Sequence, residues 1–274
     1  MNWRIFDRMA TGVTIGFSIL GLLYLLTPIL VIVPISFSAD RFFTLPIKAV
    51  SYQWYDRLWN NPGYLLAFGN TAAVGLATAL ISGTLGTLAA LAVVRGKVVF
   101  GRPISGIVMA PLVMPQIILA IGVFPVVASV GMIGSKLAVA AVHSAVATSL
   151  VFTTVSAALR GYSPNMELSA MTLGAGHVNT FRHVTFPMIR LGILIGAIFA
   201  FAFSFDEIII ALFLTDASSV TLPVYMWNEI RFQMDPTIAA ASAVAIVFSL
   251  SLLSAVALLQ RVSHQQNTSA EATR

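Results

Sequence analysis

The sequence predicts an all-α fold, a polytopic membrane bundle of six transmembrane helices with a helical loop between the fourth and fifth. Two observations carry that reading. Hydrophobic residues make up 58% of the chain and charged residues only 9%, against about 25% charged in a soluble domain, and the mean hydropathy is +0.92. The apolar residues also gather into stretches of about 20, the length a helix needs to cross a bilayer. Six stand out, at residues 10–35, 65–94, 104–129, 137–159, 190–214 and 237–260, within a single domain covering 1–274. The chain has no cysteine, which excludes disulfides, thiolate nucleophiles and cysteine metal sites.

The first stretch follows Arg4 and Arg8 and precedes Ser36 and Ser38, as a signal peptide would. Its apolar run far exceeds the usual h-region of about 7–15 residues, so it reads as a retained span. The loop after it, about 37–64, contains "SYQWYDRLWNNPGY", with Tyr52, Tyr55 and Trp59 at helical spacing beside Trp54 and Tyr64. That pattern predicts an amphipathic helix with aromatic rings at headgroup depth, or a docking surface for another protein. In the second span Gly75, Ala79, Gly83 and Thr87 fall four apart, a ridge of small residues on which another helix backbone can approach closely. The third span carries Pro111, Pro115 and Pro125, each lacking an N–H, which predicts a kinked helix lining a pathway, with Gln116 as its polar side chain. Only "GMIGSK" separates the third span from the fourth.

Lysine and arginine placement sets the orientation. With the N-terminus inside, Arg4, Arg8, Arg95, Lys97, Arg102, Arg160, Arg182, Arg190, Arg261 and Arg274 are cytoplasmic, and Arg41, Lys48, Arg57, Lys136 and Arg231 are external. Ten against five favours both termini in the cytoplasm, including the tail 261–274. The same cationic excess, with a pI near 9.9, is accounted for by the lipid bilayer and needs no nucleic-acid partner.

The loop at 160–189 is polar and patterned. Ser163 and Pro164 form a helix start, and Glu167 in the first turn suits the positive end of the helix dipole. Met166, Ala170 and Leu173 then make one apolar stripe, and Gly174 and Gly176 end the helix where positive φ is cheap. A second short helix from about Asn179 to Thr185 leads to Pro187. Such a helix pair either floats on the inner leaflet or is a knob that another protein grips.

"ELSAMTLGAGHVNTFRHVTFP", residues 167–187, resembles the signature loop of ABC importer permeases, whose pattern is E-A-A, three residues, G, nine residues, I-x-L-P. Ala170 matches the second alanine, Gly174 the glycine, and Val184-Thr185-Phe186-Pro187 the closing motif. Leu168 stands where the glutamate is expected, with Glu167 one place earlier, and Ser169 replaces the first alanine. The resemblance implies that this loop is a coupling helix fitting a groove on a cytoplasmic ATPase, with Glu167, Leu168, Ser169, Ala170, Gly174, Arg182, Thr185 and Pro187 as the coupling residues. It also implies a bacterial inner-membrane location and an assembly with a second permease in a heterodimer, two cytoplasmic ATPase subunits and a periplasmic or extracellular solute-binding protein. The chain has no G-x-x-x-x-G-K-[ST], so ATP and magnesium are expected on the partner ATPase; no cofactor, metal or catalytic residue is expected here.

The fifth span contains the adjacent acids Asp206 and Glu207. At 1.5 Å per residue Asp206 lies roughly 25 Å along from Ile189, in the outer third of the bilayer, where an ionisable group faces a path or a partner. On a continuous helix Phe199, Phe203 and Asp206 share a face and Glu207 points about 100° away. An acid beside aromatic faces suits a passing ammonium group; the alternative is an acid that hydrogen-bonds to a neighbouring helix. These residues and Gln116 are the expected substrate path. "SFDE" at 204–207 and "TLPVYMW" at 221–227 resemble the spermidine/putrescine branch of the family, which implies a polyamine. Where polyamine permeases often place an acid, this chain has Gln116, which keeps an amino-acid derivative or opine-like solute open. An ion-coupled secondary carrier would titrate Asp206 or Glu207 and would not need the glycine-hinged loop. His143 has no acid or nucleophile at helical spacing and reads as a packing residue, so the chain is expected not to be an enzyme.

Overall fold

The computed structural model describes residues 3–96, 101–232 and 235–272, with side chains described from residue 11 to residue 260 within those ranges. The predicted inner-face cations Arg4, Arg8, Lys97, Arg261 and Arg274, and the side chains of the tail 261–274, lie outside the described residues. Twelve helices occur among the described residues: α1 (Trp3–Ser36), α2 (Gln53–Asn60), α3 (Pro62–Val94), α4 (Gly101–Val113), α5 (Gln116–Ser129), α6 (Lys136–Arg160), α7 (Asn165–Thr172), α8 (His177–Thr180), α9 (Phe186–Asp206), α10 (Ile209–Leu214), α11 (Leu222–Phe232) and α12 (Thr237–Ala272). A π-helical turn, Phe181–Thr185, joins α8 to α9.

Among the described residues, five stretches are long and apolar enough to cross a membrane: Thr11–Ser36, Pro62–Val94, Lys136–Arg160, His177–Asp206 and Thr237–Gln260. The third predicted span, 104–129, is not one kinked helix. It is two helices, α4 and α5, bent by 101° across Met114 and Pro115. Proline cannot donate to the helix and biases the residue before it away from helical backbone, so the chain turns there. Pro111 and Pro125 stay inside α4 and α5.

The fifth span also departs from expectation. It starts at His177 inside the predicted loop and ends at Asp206 rather than near 214. Glu207 has extended backbone, φ −74° and ψ 121°, so its direction is not set by a continuous helix 100° from Asp206. The cause is its own carboxylate, which accepts from the N–H groups of Ile210 at 2.8 Å and Ala211 at 3.1 Å. It thereby serves the open N-terminus of α10, where a negative charge is favoured by unpaired donors and the helix dipole.

The chain divides into two compact units, Met1–Asn61 with Glu229–Phe248, and Pro62–Asn228 with Ser249–Arg274. In the first unit α1 keeps its apolar side chains exposed from Val13 to Leu26. The loop after it is pinned by an antiparallel bridge between Ser38 and Val50 and by α2, whose buried residues are Trp54 and Leu58. The Trp54 indole donates to the Ser38 carbonyl at 2.7 Å, and Arg57 lies over its ring and pairs with Asp235 at 2.9 Å. The predicted interfacial face keeps Tyr52 and Trp59 exposed, while Tyr55 turns inward to Ser36 at 2.8 Å.

In the second unit α3, α6 and α9 interlock through glycines. A Cβ on Gly86 would stand 2.6 Å from Val151 Cβ, and one on Gly196 would stand 3.0 Å from Val151 Cα. Small residues of this kind allow the close backbone approach that supplies packing between helices in lipid. On α3 the buried ridge against α6 is Thr78, Ser82, Gly86 and Ala90; of the predicted Gly75, Ala79, Gly83 and Thr87, Gly75 and Thr87 are also buried, and Ala79 and Gly83 are half-buried. The Thr78 and Ser82 hydroxyls reach the Ala140 and Ser144 carbonyls of α6 at 3.4 and 3.5 Å, which selects that register. Gly75 does contact Phe201, whereas Gly83 faces open space. Two apolar cores result: one joins Val74, Val139, Ile210 and Leu214, the other Ala90, Val151, Val155 and Leu159.

Gly86→Leu should therefore lower the stability of the purified protein by about 1–3 kcal/mol or more through overpacking, while Gly83→Ala should leave it unchanged. Thermal unfolding in detergent compares the two.

Candidate functional site

Two sites emerge in the second unit. The first is the loop between α6 and α9. The Ser163 hydroxyl accepts from the Asn165 N–H at 3.3 Å as the chain enters α7. At the other end Ala175 N donates to Ala170 O at 3.0 Å and Gly174 takes φ 92°. This is a left-handed closure that glycine adopts without a Cβ penalty. Gly176 has an ordinary φ of −68°, so Gly174 alone carries the positive φ expected of both.

Glu167 is turned into the protein. Its Oε1 accepts from Tyr162 Oη, from Thr185 Oγ1 at 2.9 Å and from Arg95 Nε at 3.2 Å. Arg95 in turn donates to the Leu159 carbonyl at 2.6 Å and lies 4.5 Å from the centre of the Tyr162 ring. One carboxylate thus ties α7 to the end of α3, the end of α6 and the π-helical turn. Burial would push the Glu167 carboxyl up, but the Tyr162, Thr185 and Arg95 donors outweigh it and hold it below its ordinary value. Burial, with the Glu167 carboxylate next, pushes the Tyr162 phenol up.

Thr185 is buried in this clamp, whereas Leu168, Ser169, Gly174, Arg182 and Pro187 are exposed and Ala170 is half-buried. α7 buries none of its residues. Of the predicted apolar stripe, Met166 is 43% exposed and Leu173 89%, with Ala170 half-buried; Leu168, off that stripe, is 58% exposed. Arg95 was not signalled by local pattern, because it meets Glu167 from 72 residues away, and Tyr162, five residues before Glu167, was passed over.

The second site is a cavity of about 400 Å³ lined by Gln116, Phe199, Ala202, Phe203, Asp206, Glu207, Ile208, Ser249 and Leu253. All five predicted path residues lie on its wall, although they come from α5, from α9 and from the break after it. Asp206 is exposed to this space. Glu207 is only 4% exposed and has its partners behind the wall.

Behind that wall runs a buried polar network. His143 Nε2 stands 3.0 Å from Glu207 Oε2, a close polar contact rather than a linear hydrogen bond. His143 Nδ1 is 2.8 Å from Ser204 Oγ, which meets Thr78 Oγ1 at 3.2 Å. His143 is fully buried, and it has both an acidic and a hydroxyl neighbour. They lie on other segments, beyond the reach of helical spacing.

The fold and both sites belong to one class of protein, a multi-pass membrane transport component rather than an enzyme. Residues 82–266 match the binding-protein-dependent transport system inner membrane component family, and the chain belongs to that family. It is 26% identical over 244 residues to the spermidine/putrescine transport system permease protein PotC of Haemophilus influenzae, covering 89% of this chain and 93% of that one. It is 29% identical over 235 residues to the putrescine transport system permease protein PotI of Escherichia coli K12, covering 83% of each. The fold is similar to that of a bacterial ABC transporter involved in import of the acidic polysaccharide alginate. The TM-score is 0.72 at 15% identity, over 91% of this chain and 96% of that one. The chain is thus an ABC importer permease that works with a binding protein and an ATPase.

Two outcomes test the geometry. His143→Leu should cost about 3–5 kcal/mol, because it leaves a buried carboxylate without its partner; Glu207→Gln, which keeps an acceptor for α10, should cost less in thermal unfolding. The second concerns acid. A carboxyl held below its unfolded value stabilises the fold above the ordinary range, and that contribution is lost as pH falls through the lowered value. The wild type should lose more stability below about pH 4.5, the ordinary value for this carboxyl, than Glu167→Gln does, read as unfolding temperature against pH.

Proposed function

We propose that this chain forms half of the translocation path for a small amine-bearing solute, a polyamine in the first instance, in an ATP-driven importer. The observation that carries the reading is Asp206, whose carboxylate faces the cavity beside Phe199 and Phe203 and has no partner among the described residues. Gln116 adds an amide to the same wall. A carboxylate attracts an ammonium group through charge, and ring faces add cation–π attraction. The names of the PotC and PotI relatives support the same solute class. Glu207 supports the path from behind by fixing the break that ends α9 at Asp206.

The coupling half of the function lies in the loop 160–189, with Leu168, Ser169, Ala170, Gly174, Arg182 and Pro187 toward the ATPase and with Glu167 and Thr185 holding the loop in shape. The assembly is a heterodimer of permeases with two cytoplasmic ATPase subunits, which bind ATP and magnesium, and an external solute-binding protein. Both termini are cytoplasmic, as the ten inner against five outer cations favour.

Asp206→Asn should lower uptake of a cationic solute roughly tenfold or more, the loss of about 1.4 kcal/mol or more, while the complex still assembles. Transport assays in reconstituted vesicles, with a panel of binding-protein-loaded amines and amino acids, check this; wild-type kinetics would return Asp206 to a packing role. Gly174→Arg forces a side chain onto φ 92° and should leave the permease inserted but without a co-purifying ATPase.

A further inference from the structure

We propose that a groove between α3 and α9 holds an acyl chain of an anionic phospholipid, with the lipid's phosphate on Arg190. The site is independent of the coupling loop; only its turn away from the second permease depends on the path proposed above. The groove has a volume of about 430 Å³ and is walled by Gly83, Thr87 and Leu88 of α3 and by Phe186, Ile193 and Ala197 of α9. Its wall is hydrocarbon even where the sequence is polar, because the Thr84 and Thr87 hydroxyls turn back to the Leu80 and Gly83 carbonyls at 2.9 and 2.6 Å. A Cβ on Gly83 would meet nothing within 4 Å. Ala79 and Leu91 end the α3 wall about 18 Å apart, close to the roughly 15 Å depth of one leaflet's hydrocarbon.

Charge identifies the occupant. α3 has no charged residue, and α9 before Asp206 has only Arg190. Arg190 is exposed and has no hydrogen bond or ion pair with another described residue. It lies four positions after Phe186 and three and seven before Ile193 and Ala197, so all four share one face of the helix. It also stands about 10 Å nearer the inner end than Ala197. A cation at the cytoplasmic end of an apolar groove between spans suits an anionic headgroup, and a guanidinium meets a phosphate through two parallel N–H donors.

A helix of the second permease is the competing occupant. Phe199 and Asp206, which line the proposed path, stand about 200° and 180° round α9 from Ala197. The groove therefore faces away from the axis that two permeases share. A partner helix would also have to bring an acid into the membrane to answer Arg190, at a cost in desolvation. A lipid phosphate answers it without that cost.

The full-length permease, purified in detergent, is titrated with dioleoyl phosphatidylglycerol and with phosphatidylcholine of the same chains, and bound lipid is read by native mass spectrometry. The wild type should bind phosphatidylglycerol about fivefold or more tightly than phosphatidylcholine, and Arg190→Gln should remove that preference. Gly83→Leu fills the groove where there is room; it should weaken phosphatidylglycerol by a similar factor without lowering the unfolding temperature of the lipid-free chain. Glycerol 3-phosphate, a headgroup without chains, should not compete. Equal binding of both lipids by the wild type, or a preference unchanged in Arg190→Gln, overturns the proposal. So does competition by glycerol 3-phosphate, which leaves Arg190 a simple anion contact. Phosphatidylglycerol binding unchanged in Gly83→Leu overturns it as well, and loss of the second permease from that variant's complex then gives the groove to the partner. Should Gly83→Leu melt early, Arg190→Gln decides alone. The solute and coupling readings stand under each of these outcomes.

Discussion

In hydrocarbon every backbone polar group must find a partner within the protein, and the second unit is organised around the two places where its helices break that rule. At Pro115 the break is inexpensive, because proline has no N–H to strand. At Glu207 the freed N–H groups of α10 need acceptors, and the Glu207 carboxylate supplies two. That carboxylate is itself buried, so it needs His143, and His143 needs Ser204 and Thr78. Along α6, His143 and Ser144 fall between the residues of the two apolar cores. A single interruption of α9 thus fixes the polar layer between the cores and leaves Asp206 as the last helical residue, open to the cavity.

The inner end obeys the same logic at lower cost. Arg95 and Glu167 are mostly buried but linked to several elements, so neither charge is left bare. Removing one member of such a network costs more than any one of its bonds, because the remaining groups keep their burial and lose their partners. The clamp joins the loop to α3 and to the turn that starts α9, and α3, α6 and α9 interlock through glycines. A push on α7 therefore reaches the packed helices through short, directional contacts rather than through a slack linker.

Much of this was legible in the sequence because it is written in runs and periods. Apolar length marked the spans, and Gly174 with Pro187 marked the loop. What was missed is long-range. The α3 ridge was read in part: Gly75 and Thr87 are buried, but Thr78, Ser82 and Gly86 face α6, and only the α6 carbonyls single them out. Glu207 was placed by helical arithmetic, which fails once a side chain competes for the backbone donors of the next turn. Ser204 lies 61 residues from His143 and Arg95 lies 72 from Glu167, and no local spacing encodes those pairs. Leu168 was read as a departure from a motif; its exposure gives that departure a physical meaning.

The pairing of Glu207 with His143 also sets the charge ledger of the cavity. Of two adjacent acids, one is already answered from behind, so the wall presents a single bare carboxylate. A cationic solute entering this cavity meets one carboxylate that is open to it, and that carboxylate sits at the end of α9.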